Sequence, residues 1–187
     1  MNVRTDVRMD KAQFFDWLEH QERKHELADG RVVMLPYVTR PHSLICTNVI
    51  LALGARLDRT KFGIHGGEFA IETGETSVRF ADIMVEPFTE GNARSTANAL
   101  LLVEVLSPST MHVDFHEKLD EYKGLAALGS YVICAQDESR VWVWTRSQGA
   151  WPDAPEVLEG LNAAVQVPIL GITLALVDIY RDISARG

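Results

Sequence analysis

Two acidic residues interrupt apolar runs: Asp82 within Val78-Arg79-Phe80-Ala81-Asp82-Ile83-Met84-Val85, and Glu104 within Leu100-Leu101-Leu102-Val103-Glu104-Val105-Leu106. Both runs read as buried strands, where a carboxylate loses its hydration and must recover that loss from a cation, a set of donors or a proton. Two carboxylates on neighbouring strands, with a strand carbonyl in reach, make a compact site for a hard divalent ion such as Mg2+ or Mn2+. Such an ion polarises a phosphoryl oxygen and lowers the pKa of an attacking water, the two requirements of phosphodiester hydrolysis. A lysine nearby can orient that water and stabilise developing negative charge.

The elements that must hold these residues follow from periodicity and turn chemistry. Residues 10–26 mix Phe14, Phe15, Trp17 and Leu18 with charges behind a capping Asp10, which predicts an amphipathic helix. Asp29-Gly30 predicts a hairpin between short strands at 26–28 and 31–35. Leu44, Ile45, Val49, Leu53 and Leu57 recur at helical spacing, predicting a second helix over 41–57. Strands are expected at 68–72 and 78–85 around Gly74-Glu75-Thr76, and again from Leu100 to Leu106 after the polar loop 92–98. A helix over 114–128, stopped by Gly129, then leads to a hairpin of 131–135 with 140–145. Weaker strands are expected at 156–158 and 164–167, with a closing helix over 173–183. Strand, helix and strand from Leu100 to Ala135 make a βαβ crossover with parallel strands. The fold class is α/β or α+β, with a mixed central sheet flanked by helices.

The chain has 187 residues, 47% hydrophobic and 24% charged, which suits one domain spanning 1–187 with residues 1–9 flexible. No apolar stretch approaches the roughly twenty residues that span a bilayer, and the N-terminus lacks a signal-like apolar core, so a cytoplasmic protein is expected. Cys46 and Cys134 form no metal-ribbon spacing and read as buried thiols. A net charge of −8 argues against partners held by bulk electrostatics. Through Lys61 there are ten Lys and Arg against eight Asp and Glu, and beyond it eight against eighteen, so the acid excess lies where Asp82 and Glu104 lie.

Glu26-Leu27-Ala28-Asp29-Gly30-Arg31-Val32, His42, Phe80-Ala81-Asp82-Ile83, the run Leu102 to Thr110, Asp114, Lys118 and Tyr122 carry a resemblance. Together they resemble a restriction endonuclease family of small bacterial proteins within the PD-(D/E)XK nuclease superfamily. The resemblance implies a restriction-endonuclease-like core and a Mg2+-dependent hydrolase acting on DNA, and with them a homodimer. It makes Asp82 the metal-binding aspartate and Glu104 the acidic member of the second motif. The superfamily's lysine normally falls two residues after that glutamate, where this chain has Leu106, and the residue before Asp82 is Ala81 rather than proline. The family often takes the lysine from the following helix, which nominates Lys118. Glu26 resembles the N-terminal acidic position that completes the site.

Plainer roles stand beside these. Lys118 lies four residues from Asp114 and from Tyr122, a spacing that a surface ion pair also produces. Asp114 and Glu117 fit a capping box, and His42 suits the start of the second helix. Ser107-Pro108-Ser109-Thr110 lacks the glycine elbow of a nucleophile and reads as a turn. His112 and His116 have zinc-like spacing without a third ligand, and Trp142 with Trp144 fits a packed sheet face better than a stack for bases. The alternative function is a nuclease-fold protein without catalysis, serving as a binding or dimerisation module.

Overall fold

The computed structural model describes residues 4–106 and 116–183. The chain opens with β1 (Arg4–Arg8) and α1 (Lys11–Leu18), followed by β2 (His25–Ala28) and β3 (Arg31–Met34). Residues 4–8, expected to be flexible, pair with β3 along one edge. Asp10 caps α1 as expected: its carboxylate accepts from Gln13 N at 2.9 Å while Gln13 Oε1 accepts from Asp10 N at 3.0 Å. The helix ends at Leu18 rather than near residue 26, because His20 and Gln21 turn their side chains back onto the carbonyls of Asp16 and Trp17. Asp29 (φ 48°) and Gly30 (φ 74°) both occupy the left-handed region, giving β2 and β3 the expected tight hairpin.

After α2 (Arg40–Gly54) come β4 (Phe62–Gly66), β5 (Ala70–Glu72), β6 (Val78–Arg79), β7 (Ile83–Pro87), β8 (Ser95–Thr96) and β9 (Leu101–Leu106). Then follow α3 (Lys118–Lys123), β10 (Ser130–Ala135), β11 (Arg140–Thr145) and β12 (Glu156–Glu159). The described chain closes with β13 (Ala164–Val167), β14 (Ile172–Ala175) and α4 (Leu176–Ile179). One six-stranded sheet runs β1-β3-β2-β6-β5-β8, the other β12-β11-β10-β9-β7-β4, and β13 pairs with β14. β9 and β10 are parallel, as the crossover requires, while β7 and β11 flank them antiparallel, so this sheet is mixed.

Both faces of the mixed sheet are covered. Ile45, Val49 and Leu53 of α2 pack with Ile83, Val85 and Val103 on one face. Leu119 and Tyr122 of α3 pack with Met84, Leu102, Tyr131 and Ile133 on the other. Each such side chain contributes about 1.5–3 kcal/mol when fully buried. All six residues of β9 are buried, so Glu104 is enclosed by the core that places it.

Three further expectations need correction. The run Val78 to Val85 is two strands in different sheets, because Phe80 N–H donates to Glu26 Oε1 at 3.0 Å and Val105 N–H donates to Asp82 Oδ2 at 2.8 Å. Carboxylates take donors that a continuing strand would pair with carbonyls. Residues 173–175, expected as the start of the closing helix, belong instead to β14 because register with β13 outweighs local helical pattern. Finally, α3 ends at Lys123 with Gly124 as its cap, whereas Gly129 serves close packing: a Cβ there would lie 2.6 Å from Ile169 Cβ.

Candidate active site

Glu26 reaches the site from β2, Arg79 from β6, Glu104 from β9, and Lys118, Glu121 and Tyr122 from α3. Alternation along β2 sends Leu27 into the cluster of Phe14, Val32 and Phe80, leaving Glu26 to face α3. Lys118 Nζ lies 2.9 Å from Glu104 Oε1 and 3.2 Å from Glu26 Oε1, so one ammonium joins strands of both sheets. Tyr122 O–H also donates to Glu104 Oε1, at 3.1 Å. Burial raises the Tyr122 phenol well above its ordinary value, and the charges of Glu104 and Glu26 add to it, so the phenol stays a proton donor. Glu26, Glu104 and Lys118 are all buried.

Arg79 completes the inner network, and reading the sequence alone did not single it out. Its guanidinium is 2% exposed and lies 3.2 Å from Glu26 Oε2. On its other side it grips Glu121, with Nε donating to Oε2 at 2.9 Å and Nη2 pairing with Oε1. Burial opposes the charge on Arg79, but hydrogen bonding to Glu121 and the field of Glu26 outweigh it and raise its pKa further. Glu26 is pushed upward by burial, yet Lys118 and Arg79 reverse the shift and hold it below its ordinary value. Both oxygens of Glu26 are occupied, Oε1 by Lys118 and Phe80 N–H and Oε2 by Arg79. Its geometry is that of a holder for Lys118.

Asp82 is at the sheet end, in the break before β7, rather than inside a strand. Its Oδ2 accepts from Val105 N and lies 3.1 Å from His42 Nε2, while no residue among those described donates to Oδ1. Burial acts upward on its pKa, but the bond to His42, the charge there and Val105 N–H hold it below the usual value, with Lys118 contributing. Burial raises the Cys46 thiol pKa most, and the charges of Asp82, Cys134 and Glu104 add to it in that order. The arginine grips Glu26 and Glu121, leaving the Asp82 and Glu104 carboxylates to other partners.

Among the described residues, Glu26, Asp82, Glu104 and Glu121 gather around Arg79, Lys118 and His42. Carboxylate oxygens are the donors that suit a hard divalent ion. His42, Cys46 and Asp82 also bring a nitrogen, a sulfur and an oxygen within 4.8 Å of one another. A softer ion would need the Cys46 thiolate, which burial and Asp82 disfavour. His42 Nδ1 instead lies 3.6 Å from Cys46 Sγ, which fixes the ring that orients Asp82. Asp114, His112 and Ser107-Pro108-Ser109-Thr110 lie outside the described residues. Trp144 stacks on Tyr131 at 5.7 Å in the core, as the packing expectation had it. No helix among the described residues is long and apolar enough to cross a membrane.

A mixed sheet covered by helices, with Asp82 just ahead of β7 and Glu104 within β9, has a nuclease-like class of fold. The chain belongs to the Uma2 family, whose description is "Putative restriction endonuclease" and whose model matches residues 12–177. It is 22% identical over 183 residues to the uncharacterized protein slr1290 of Synechocystis sp., covering 95% of this chain and 94% of that one. Its fold matches a crystal structure of a "putative nuclease belonging to DUF820" from Anabaena variabilis at a TM-score of 0.76. That match is 18% identical and covers 92% of this chain and 97% of the other.

Proposed function

We propose that the chain, as one domain over 1–187, is a metal-dependent endonuclease that hydrolyses DNA phosphodiester bonds in the cytoplasm. The observation that carries this reading is the meeting of two acids from neighbouring strands: Asp82 Oδ2 accepts from Val105 N, the residue after Glu104, and Glu104 Oε1 holds Lys118. Asp82 and Glu104 would hold Mg2+ or Mn2+, which when bound polarises the phosphoryl oxygen and acidifies a water. His42 and Val105 N–H orient Asp82. Tyr122 and Lys118 fix Glu104 Oε1, leaving its carboxylate plane little freedom.

Lys118 serves in place of the lysine missing at Leu106. Its ammonium, held by Glu26 and Glu104, supplies positive charge and N–H donors beside the reacting phosphate and orients the attacking water. Glu26 acts through Lys118. A pair of such chains would bring two sites to the two strands of a duplex, and the measured mass in solution tests that pairing.

The deciding experiment is cleavage of plasmid and labelled duplex DNA in Mg2+ by Asp82→Asn and Glu104→Gln. Each variant should lose at least about a hundredfold in rate, the scale of removing a residue that acts in the transition state, while the melting transition remains cooperative. Undiminished cleavage by either variant removes the assignment. Binding of DNA without cleavage by the unaltered chain in Mg2+ or Mn2+ would instead favour a module without catalysis.

A further inference from the structure

We propose that Lys24 and Tyr37 form a track for one nucleic-acid strand at the mouth of the site, Lys24 holding a backbone phosphate and Tyr37 stacking on a base. The choice of nucleic acid rests on the nuclease reading above; the surface itself rests on separate residues. Leu35 N–H donates to Lys24 O at 2.9 Å, which extends the β2–β3 ladder to Lys24. Two residues before Glu26, Lys24 therefore shares the face of β2 that turns toward the site. Its ammonium lies 5.4 Å from the Phe80 ring centroid, and a Cβ on Gly67 would come within 2.8 Å of Nζ and 3.8 Å of Asp82 Cα. The bare backbone of Gly67 thus leaves the room in which a lysine approaches the break that carries Asp82.

Lys24 differs from Lys118 in one decisive respect. Lys118 is buried between two carboxylates. Lys24 is half-buried and, among the described residues, pairs with no carboxylate. A cation that no described carboxylate neutralises, beside an acidic site, has the charge needed to receive a phosphate that the carboxylates alone would repel. Next to it, Arg23 Cζ sits 4.1 Å from the Tyr37 ring centroid, and Tyr37 is 81% exposed. The ring is steadied on one side by a cation, and a base is the planar partner that stacks beside a phosphate contact. The same loop continues through Thr39 into α2, where Thr39 Oγ1 accepts from His42 N and His42 contacts Asp82. Track and site are therefore joined by a few residues of chain.

Binding of labelled single-stranded and duplex oligonucleotides, followed by fluorescence anisotropy in Ca2+ over a range of salt, tests the track. Lys24→Met should weaken binding about tenfold and lower the slope of log affinity against log salt by about 0.7 to 0.9, the loss of one phosphate contact. Lys24→Arg should keep the slope. Tyr37→Ala should weaken binding about tenfold with the slope unchanged, and Tyr37→Phe should bind as the unaltered chain does. Native affinity in Lys24→Met or Tyr37→Ala overturns the track while leaving catalysis by Asp82 and Glu104 standing. No binding by the unaltered chain overturns the track and the nuclease reading together.

Discussion

Arg79 carries a full charge at 2% exposure because Glu26 and Glu121 share it, and its planar fork meets both at once. Arg79→Met should cost about 3–5 kcal/mol, the range for breaking a buried ion pair and stranding a partner. Urea unfolding measures that loss, and Arg79→Lys should recover only part of it because one ammonium cannot span two carboxylates. Unchanged stability in Arg79→Met would mean the pair contributes nothing. Glu26 gives a second test at this scale, since burial pushes its carboxyl up but Lys118 and Arg79 hold it below its ordinary 4.5. Stability from a depressed carboxyl is complete above that value and drains away as pH falls through the folded one. The melting temperature should stay level between about pH 7 and 5 and fall below about pH 4, less steeply in Glu26→Gln than in the unaltered chain. Asp82 and Glu104 stood out in the sequence as charges inside apolar runs. Arg79 lay in the same run as Asp82 and obeyed the same argument, but its partner Glu121 is 42 residues away and no local pattern links them.

The break between β6 and β7 is the element on which the site turns. Among the described residues Ala81 N–H has no backbone partner, and the segment lies outside both strands. A proline there removes no paired donor, so Ala81→Pro should keep the fold and raise stability by about 0.4–1 kcal/mol through the unfolded chain. A loss of several kcal/mol on denaturant unfolding would show that the backbone at 81 cannot accept a proline. Local signals made the hairpin at Asp29-Gly30, the cap of α1 and the β9–α3–β10 crossover legible, because each depends on nearby residues. The break was not legible: apolar alternation from Val78 to Val85 continues through it, and what stops the ladder is Glu26, 54 residues upstream of Phe80. Likewise β14 takes its shape from β13 rather than from its own sequence.

At the scale of the molecule, two six-stranded sheets meet at Glu26, Lys118 and Glu104. Periodicity identified most strands but carried no information on which sheet each joins, so the mixed central sheet was legible while the second six-stranded sheet and the β13–β14 pair were not. An ion that binds only the folded chain stabilises it by mass action, about 1.4 kcal/mol at ten times its dissociation constant. Mn2+ should therefore raise the melting temperature in a concentration-dependent way, and Asp82→Asn should abolish that rise; an equal rise in both would place the ion elsewhere. The amides of Phe80 and Val105 are guarded by side-chain carboxylates rather than by carbonyls. Their nitrogen and proton resonances consequently offer two built-in probes, one on the holder Glu26 and one on Asp82. Titrating acid should move the two signals along separate curves, while metal should perturb the Val105 signal before the Phe80 signal, so a single spectrum series can tell loss of the scaffold from occupancy of the centre.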